Sequence, residues 1–224
     1  MKLAIQAIGS TLFGLLFFGI GLFLPAWTFA YWQAWVFIAV FTLATMIPSL
    51  YLAVTNPAAL RRRLNAGPTA ETRPVQRIII SATVLLVVAV LVVSALDHRF
   101  GWSSVPLSVV WVGNVLVAVG LVVAQLVVIQ NSYAAANITV ESGQPLVSTG
   151  LYGVVRHPMY VGALIMMVGT PLALGSLRGL VVVLLAVPVL AARILDEEKL
   201  LTEQLDGYRE YITRVRSRLI PYVW

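Results

Sequence analysis

The sequence predicts an all-α, polytopic integral membrane bundle of five to six transmembrane helices, followed by an amphipathic helix on the cytoplasmic side. Three observations predict it. Hydrophobic residues make up 60% of the 224 and charged residues only 11%, against roughly 45–50% and about 25% in ordinary soluble domains. The apolar residues fall in long runs nearly free of charge, and a run of about 18 or more is long enough to cross the hydrocarbon core. Arginine clusters beside these runs rather than inside them, as orientation by the positive-inside rule requires.

The runs follow in order. The first is Leu3 to Leu24, ended by Pro25. Lys2 before it resembles the start of a signal peptide, but the run is long and lacks a small-residue cleavage site, so it reads as a retained helix. The second runs from Trp32 to Val54, with Trp27, Tyr31, Trp32 and Trp35 near its start, the composition of an interfacial aromatic belt. A basic segment follows, with Arg61, Arg62, Arg63, Arg73 and Arg77. Ile78 to Leu96 is the third run, closed by Asp97-His98-Arg99, where His98 reads as a solvated loop residue. Val105 to Ile129 is the fourth, with Asn114 and Gln125 expected to hydrogen-bond between helices. After the polar segment Gln130 to Arg156 come two shorter pieces, Met159 to Leu174 and Leu180 to Leu195, read as a tight hairpin that Pro171 and Pro188 can kink. Gly9, Gly14, Gly19 and Gly21 are expected to allow close packing of the first helix.

From Arg193 to Trp224 the chain becomes charged. Ile194, Leu201, Leu205, Tyr208, Ile212, Val215 and Leu219 recur at steps of three and four, one face of a helix. That helix lies on the membrane or folds back under the bundle, with a bend allowed at Gly207. The basic segment Arg61 to Arg77 places itself, the Gln130–Arg156 segment and the tail on the cytoplasmic face. The chain reads as one membrane domain, residues 1–129 supplying spans and 130–224 the chemistry.

Several chemistries are excluded. With no cysteine, thiolate catalysis, disulfides and Cys-based metal sites are impossible. His98 and His157 are far apart, so no metal is expected. The net charge of +6 sits beside apolar spans rather than on a continuous surface, so nucleic acid is not an expected partner.

Two polar clusters remain. In Arg156-His157-Pro158, the proline fits the first turn of a helix. The dipole end with Arg156 and His157 suits an anion; alternatively Arg156 snorkels and His157 caps. In Arg193-Ile194-Leu195-Asp196-Glu197-Glu198, Glu198 falls on the apolar stripe, and Arg193 and Glu197 are four apart and can face each other. Carboxylates so near hydrocarbon are costly unless paired; alternatively the helix simply turns polar as it enters water.

Taken in order, Leu146-Val147-Ser148-Thr149-Gly150-Leu151-Tyr152 and Arg156-His157-Pro158-Met159-Tyr160-Val161-Gly162 resemble the LVxxGxYxxxRHPxYxG signature of the isoprenylcysteine carboxyl methyltransferases. Arg193, Glu197-Glu198, Gly207-Tyr208-Arg209-Glu210-Tyr211 and Arg218-Leu219-Ile220-Pro221 continue the pattern. Membrane phospholipid methyltransferases share its RHPxY and Glu-Glu elements. The resemblance covers the C-terminal third. It implies S-adenosyl-L-methionine as cofactor, held by Gln144, Pro145, Leu146, Val147, Tyr152, His157, Pro158, Met159, Tyr160, Glu197 and Glu198. Asn137 stands near a family glutamine. Arg193 and Glu197 would be catalytic, with Arg193 facing the carboxylate of a prenylated or otherwise lipophilic acceptor entering from the bilayer. The plasma membrane is the expected location in a prokaryote. Two other readings stand beside this one: a phospholipid or small-amine N-methyltransferase, and a non-catalytic membrane scaffold or transporter.

Overall fold

A computed structural model of the chain describes residues 2–64, 71, 73–134 and 137–224; residues 65–70 and 72 of the basic segment, and 135–136 of the following polar one, lie outside the described residues. The described residues are helical, with no strand among them. The helices are α1 (Lys2–Ala26), α2 (Trp32–Thr55), α3 (Pro57–Leu64), α4 (Pro74–Phe100), α5 (Leu107–Gln130), α6 (Pro158–Ala173), α7 (Arg178–Gln204) and α8 (Tyr208–Arg214), with a single 3-10 turn at Gly150–Gly153. Five of them, α1, α2, α4, α5 and α7, are long and apolar enough to cross a membrane. At 16 residues α6 is about 24 Å long, short of the roughly 30 Å hydrocarbon core.

Prolines set the starts. Pro57, Pro74 and Pro158 each occupy the first position of a helix, where the missing N–H costs nothing and φ is already helical. At the end of α4, Gly101 adopts φ +62° and its N–H bonds the Asp97 carbonyl, a left-handed cap that glycine forms without a Cβ penalty.

The largest departure from expectation is the tail. It is not one amphipathic helix from Arg193 onward. Instead α7 continues through Asp196, Glu197 and Glu198 to Gln204. The chain breaks at Leu205–Gly207, where Gly207 has φ +78°, and only α8 follows. The acidic residues stay helical because partners neutralise them: Arg73 pairs with Asp196 at 2.9 Å and Arg156 with Glu198 at 3.0 Å. Of the apolar stripe, Ile194, Tyr208 and Leu219 are buried and Leu201, Leu205, Ile212 and Val215 half-buried.

Close helix packing is also found elsewhere than expected. A Cβ at Gly9, Gly14 or Gly19 would meet nothing within 4 Å, and only Gly21 faces a neighbour, Leu91. The tight seam joins α5 to α6. A Cβ on Gly113 would lie 2.2 Å from the Ala173 nitrogen, one on Gly120 2.4 Å from the Gly162 carbonyl, and one on Gly169 2.8 Å from the Gly113 carbonyl. These are backbone atoms that cannot swing aside. Gly120→Ala is therefore expected to destabilise the folded protein by about 1–3 kcal/mol through overpacking. Gly14→Ala is expected to be neutral or to gain up to about 1 kcal/mol of helix propensity. Thermal unfolding of both variants in detergent checks the pair.

The aromatic core joins α1, α2 and α4: Phe18 meets Phe37 and Phe41 edge-on, packed with Leu22 and Leu91. A smaller core of Leu52, Leu60 and Val128 reaches Ala134 and Met159 at one end of the bundle. At the opposite end, buried Asp97 accepts hydrogen bonds from Ser176 at 2.6 Å and Ser103 at 2.7 Å, and Tyr31 donates to the Leu174 carbonyl. His98 is not in a solvated loop. It lies in the last turn of α4, its ring stacked on Tyr31 at 3.9 Å. Asn114 bonds the Val110 carbonyl of its own helix rather than another helix, and the Gln125 amide nitrogen is buried without a hydrogen-bond partner among the described residues.

Candidate active site

The two polar clusters, some 40 residues apart in sequence, meet at the end of the bundle that also carries α3. His157 occupies the N-cap position of α6, but its side chain makes no cap bond. Its backbone N–H donates to the Arg218 carbonyl at 3.0 Å, and that of Arg156 to the Ser217 carbonyl at 2.9 Å. The tail past α8 therefore lies along the entry to α6 and satisfies donors that a helix start leaves open.

The side chains of this corner converge on one carboxylate. Glu198 contacts Arg156 Nε at 3.0 Å, His157 Nε2 at 3.1 Å and Arg218 Nε at 2.9 Å. The Arg156, His157 and Glu198 side chains are largely buried, and Arg218 is half-buried. Arg156 neither snorkels nor stands free; a buried charge persists here because it is paired.

Glu197, one position earlier, turns the other way. It accepts a 2.6 Å hydrogen bond from the Tyr160 hydroxyl, which in turn accepts one of 2.9 Å from Arg193 Nε. Arg193 and Glu197 thus meet through Tyr160 rather than directly across α7. The guanidinium has further partners that sequence periodicity does not reveal. Its Nη1 donates to Gln76 Oε1 at 3.1 Å, and its Nη2 lies 3.6 Å from Glu71 Oε1.

Between these groups lies a cleft with a cavity volume of about 160 Å³, partly open to solvent. Gln144, Pro145, Leu146 and Val147 form one side. Tyr152 and the α6 start, His157, Pro158, Met159 and Tyr160, form the second. Arg193 and Glu197 on α7 form the third, and Asn137 joins them. Of the expected contact residues Glu198 alone is outside the wall; its carboxylate is taken up by the three basic side chains. Sequence reading missed Asn131, Tyr133, Leu201, Leu205, Tyr208 and Tyr211, which also line the cleft. Tyr208 and Tyr211 stand three apart within the Gly207–Tyr211 motif, so one helical face presents both. That spacing was the available signal.

Five tyrosines line the cleft: Tyr133, Tyr152, Tyr160, Tyr208 and Tyr211. Tyr211 donates to the Tyr152 carbonyl at 2.7 Å, and Asn131 donates to the Tyr152 hydroxyl at 3.2 Å. Burial pushes the Tyr152 phenol up to about 12 and those of Tyr208 and Tyr211 above their usual value. These three therefore remain neutral at physiological pH and present uncharged aromatic faces, a surface that attracts cations. The chemistry on offer is positioning in an aromatic cleft beside the Glu197 carboxylate.

Fold and site together describe a helical membrane protein whose C-terminal part carries a cleft lined by polar and aromatic side chains. The family model for phospholipid methyltransferases matches residues 108–207, from α5 to the break before α8. A stretch of 90 residues is 37% identical to the delta(14)-sterol reductase TM7SF2 of Mus musculus, covering 39% of this chain. This chain spans only 22% of that protein's length. Among solved structures, the eukaryotic intramembrane Ras methyltransferase ICMT (isoprenylcysteine carboxyl methyltransferase) aligns over 99% of this chain and 85% of its own, with a TM-score of 0.51 and 16% sequence identity. That likeness is one of fold, and it extends to α1–α4, where the sequence carries no signature. Family model and fold agree with the resemblance read from the motifs.

Proposed function

We propose that the protein transfers a methyl group from S-adenosyl-L-methionine to a lipophilic acceptor that reaches the cleft from the bilayer, the acceptor group being a carboxylate. The observation that carries the proposal is the convergence, on the lining of one cleft, of five tyrosines with Glu197. A sulfonium is a cation without hydrogen-bond donors, so aromatic faces suit it. Glu197 suits an ammonium or ribose hydroxyls. When bound, the cofactor supplies an electrophilic methyl group. The chain's own task is alignment and exclusion of water. A carboxylate nucleophile needs no general base, in keeping with the neutral tyrosines, and in this reading Arg193 orients it.

The cleft opens at the end bearing Arg61, Arg62, Arg63, Arg73 and Arg77, which by the positive-inside rule is the cytoplasmic one. A second reading, an amine acceptor such as a phospholipid headgroup, is favoured by the match to the phospholipid methyltransferase model.

Calorimetry on the protein in lipid nanodiscs is expected to show saturable binding of S-adenosylmethionine and none of ATP. Absence of binding in a folded sample overturns the proposal. Labelled methyl transferred to a lipid extract then separates the two acceptors: an ester releases methanol in base, whereas an N-methyl group is retained.

A further inference from the structure

Arg193 already holds a carboxylate. Glu71, in the connection between α3 and α4, is 1% exposed. Its Oε1 accepts the Ile138 backbone N–H at 3.3 Å and stands 3.6 Å from Arg193 Nη2. Both Ile138 and Arg193 line the cleft, so Glu71 sits just behind its wall. The arrangement is a poor one for a buried carboxylate. The approach to Nη2 is beyond hydrogen-bond length, and Oε2 is buried with no hydrogen-bond partner among the described residues.

Gln76 fixes the other edge of the guanidinium. It is fully buried, accepts from Arg193 Nη1 through Oε1, and donates through Nε2 to Asp196. An arginine only donates and a carboxylate only accepts, so an amide is the side chain that bridges the two. Asp196 in turn pairs with Arg73. Arg193 is thus set against Glu71 and Arg73 against Asp196. A second carboxylate brought to Arg193 therefore meets a guanidinium that already faces one.

We propose that Glu71 is the internal counter-anion of Arg193 and determines acceptor specificity: it occupies the guanidinium edge that an acceptor carboxylate would take, so an anionic acceptor engages Arg193 only by displacing it. The assignment rests on the reading that Arg193 faces the acceptor. The incomplete hydrogen bonding of Glu71 makes that displacement feasible, because an incoming carboxylate that bonds Nη2 directly makes a better pair than the one it replaces.

The test is calorimetric titration of the full chain in nanodiscs with (geranylthio)acetate, a prenyl thioether acid. Its methyl ester serves as the uncharged control, and S-adenosylhomocysteine is present so that no turnover occurs. Glu71→Gln retains an acceptor for the Ile138 N–H and removes the charge. It is expected to bind the acid about tenfold more tightly than wild type, the scale of one partly screened charge interaction. Ester binding should not change, and adding Arg193→Gln should abolish the gain. Equal or weaker acid binding by Glu71→Gln overturns the proposal, as does no acid-specific binding by either protein. If Glu71→Gln does not fold, Glu71→Asp withdraws the carboxylate from Nη2 and should show a smaller gain; no gain there is equally decisive. Binding of S-adenosylmethionine to wild type, measured separately, reports on the cofactor reading, so failure of that reading and failure of the gate give different results.

Discussion

Glu198→Ala is expected to be the most damaging single substitution in the chain's C-terminal part, lowering stability by about 3–5 kcal/mol, the cost of breaking a buried charge pair. The carboxylate is the shared partner of Arg156, His157 and Arg218. Its loss leaves the Arg156 guanidinium, 7% exposed, without its ion-pair partner. Removing one side of a buried pair costs more than the pair contributes, since the remaining charge is neither solvated nor neutralised. Thermal unfolding in detergent, with size-exclusion chromatography to follow monodispersity, reads the effect. Glu198→Gln keeps the shape and some acceptor capacity and should lose less. An unchanged melting midpoint for the alanine variant would show that this cluster is not structural.

The neighbouring substitution Glu197→Gln should behave in the opposite way. Glu197 lines the cleft and accepts a hydrogen bond from Tyr160, a bond a glutamine oxygen can still accept. The melting midpoint should therefore stay close to that of wild type. Affinity for S-adenosylmethionine should fall by about 10- to 100-fold, the range for losing a hydrogen bond to a charged group. The two adjacent acids thus separate stability from binding. Calorimetry and thermal unfolding on the same two samples test the separation, and wild-type affinity in Glu197→Gln would remove this residue from the cofactor site.

Much of this was legible in the sequence because the bilayer imposes a coarse rule: long apolar runs became α1, α2, α4, α5 and α7. The motif residues Gln144 to Val147, Tyr152, His157 to Tyr160, Arg193 and Glu197 do share one cleft. What the sequence concealed depends on partners from distant segments. Asp196, Glu197 and Glu198 look like the point where a helix enters water, yet α7 continues because Arg73, Tyr160 and Arg156 meet them. Glu197 and Glu198 are chemically identical, and only the packing of α6 and the tail shows which one faces the cleft. Gln76 lies 117 positions from Arg193, and no periodicity links them. The glycines of α1 and those of α5 and α6 look alike in sequence; which helix face receives a neighbour is decided by assembly.

The backbone pairing of Arg156 and His157 with Ser217 and Arg218 bears on the order of biosynthesis. Every long apolar helix lies N-terminal to Ser217, so the edge of the cleft beside α6 receives its partner segment last in chain order. A polypeptide interrupted between Gln204 and Ser217 would retain all its spans and targeting while lacking a finished cleft.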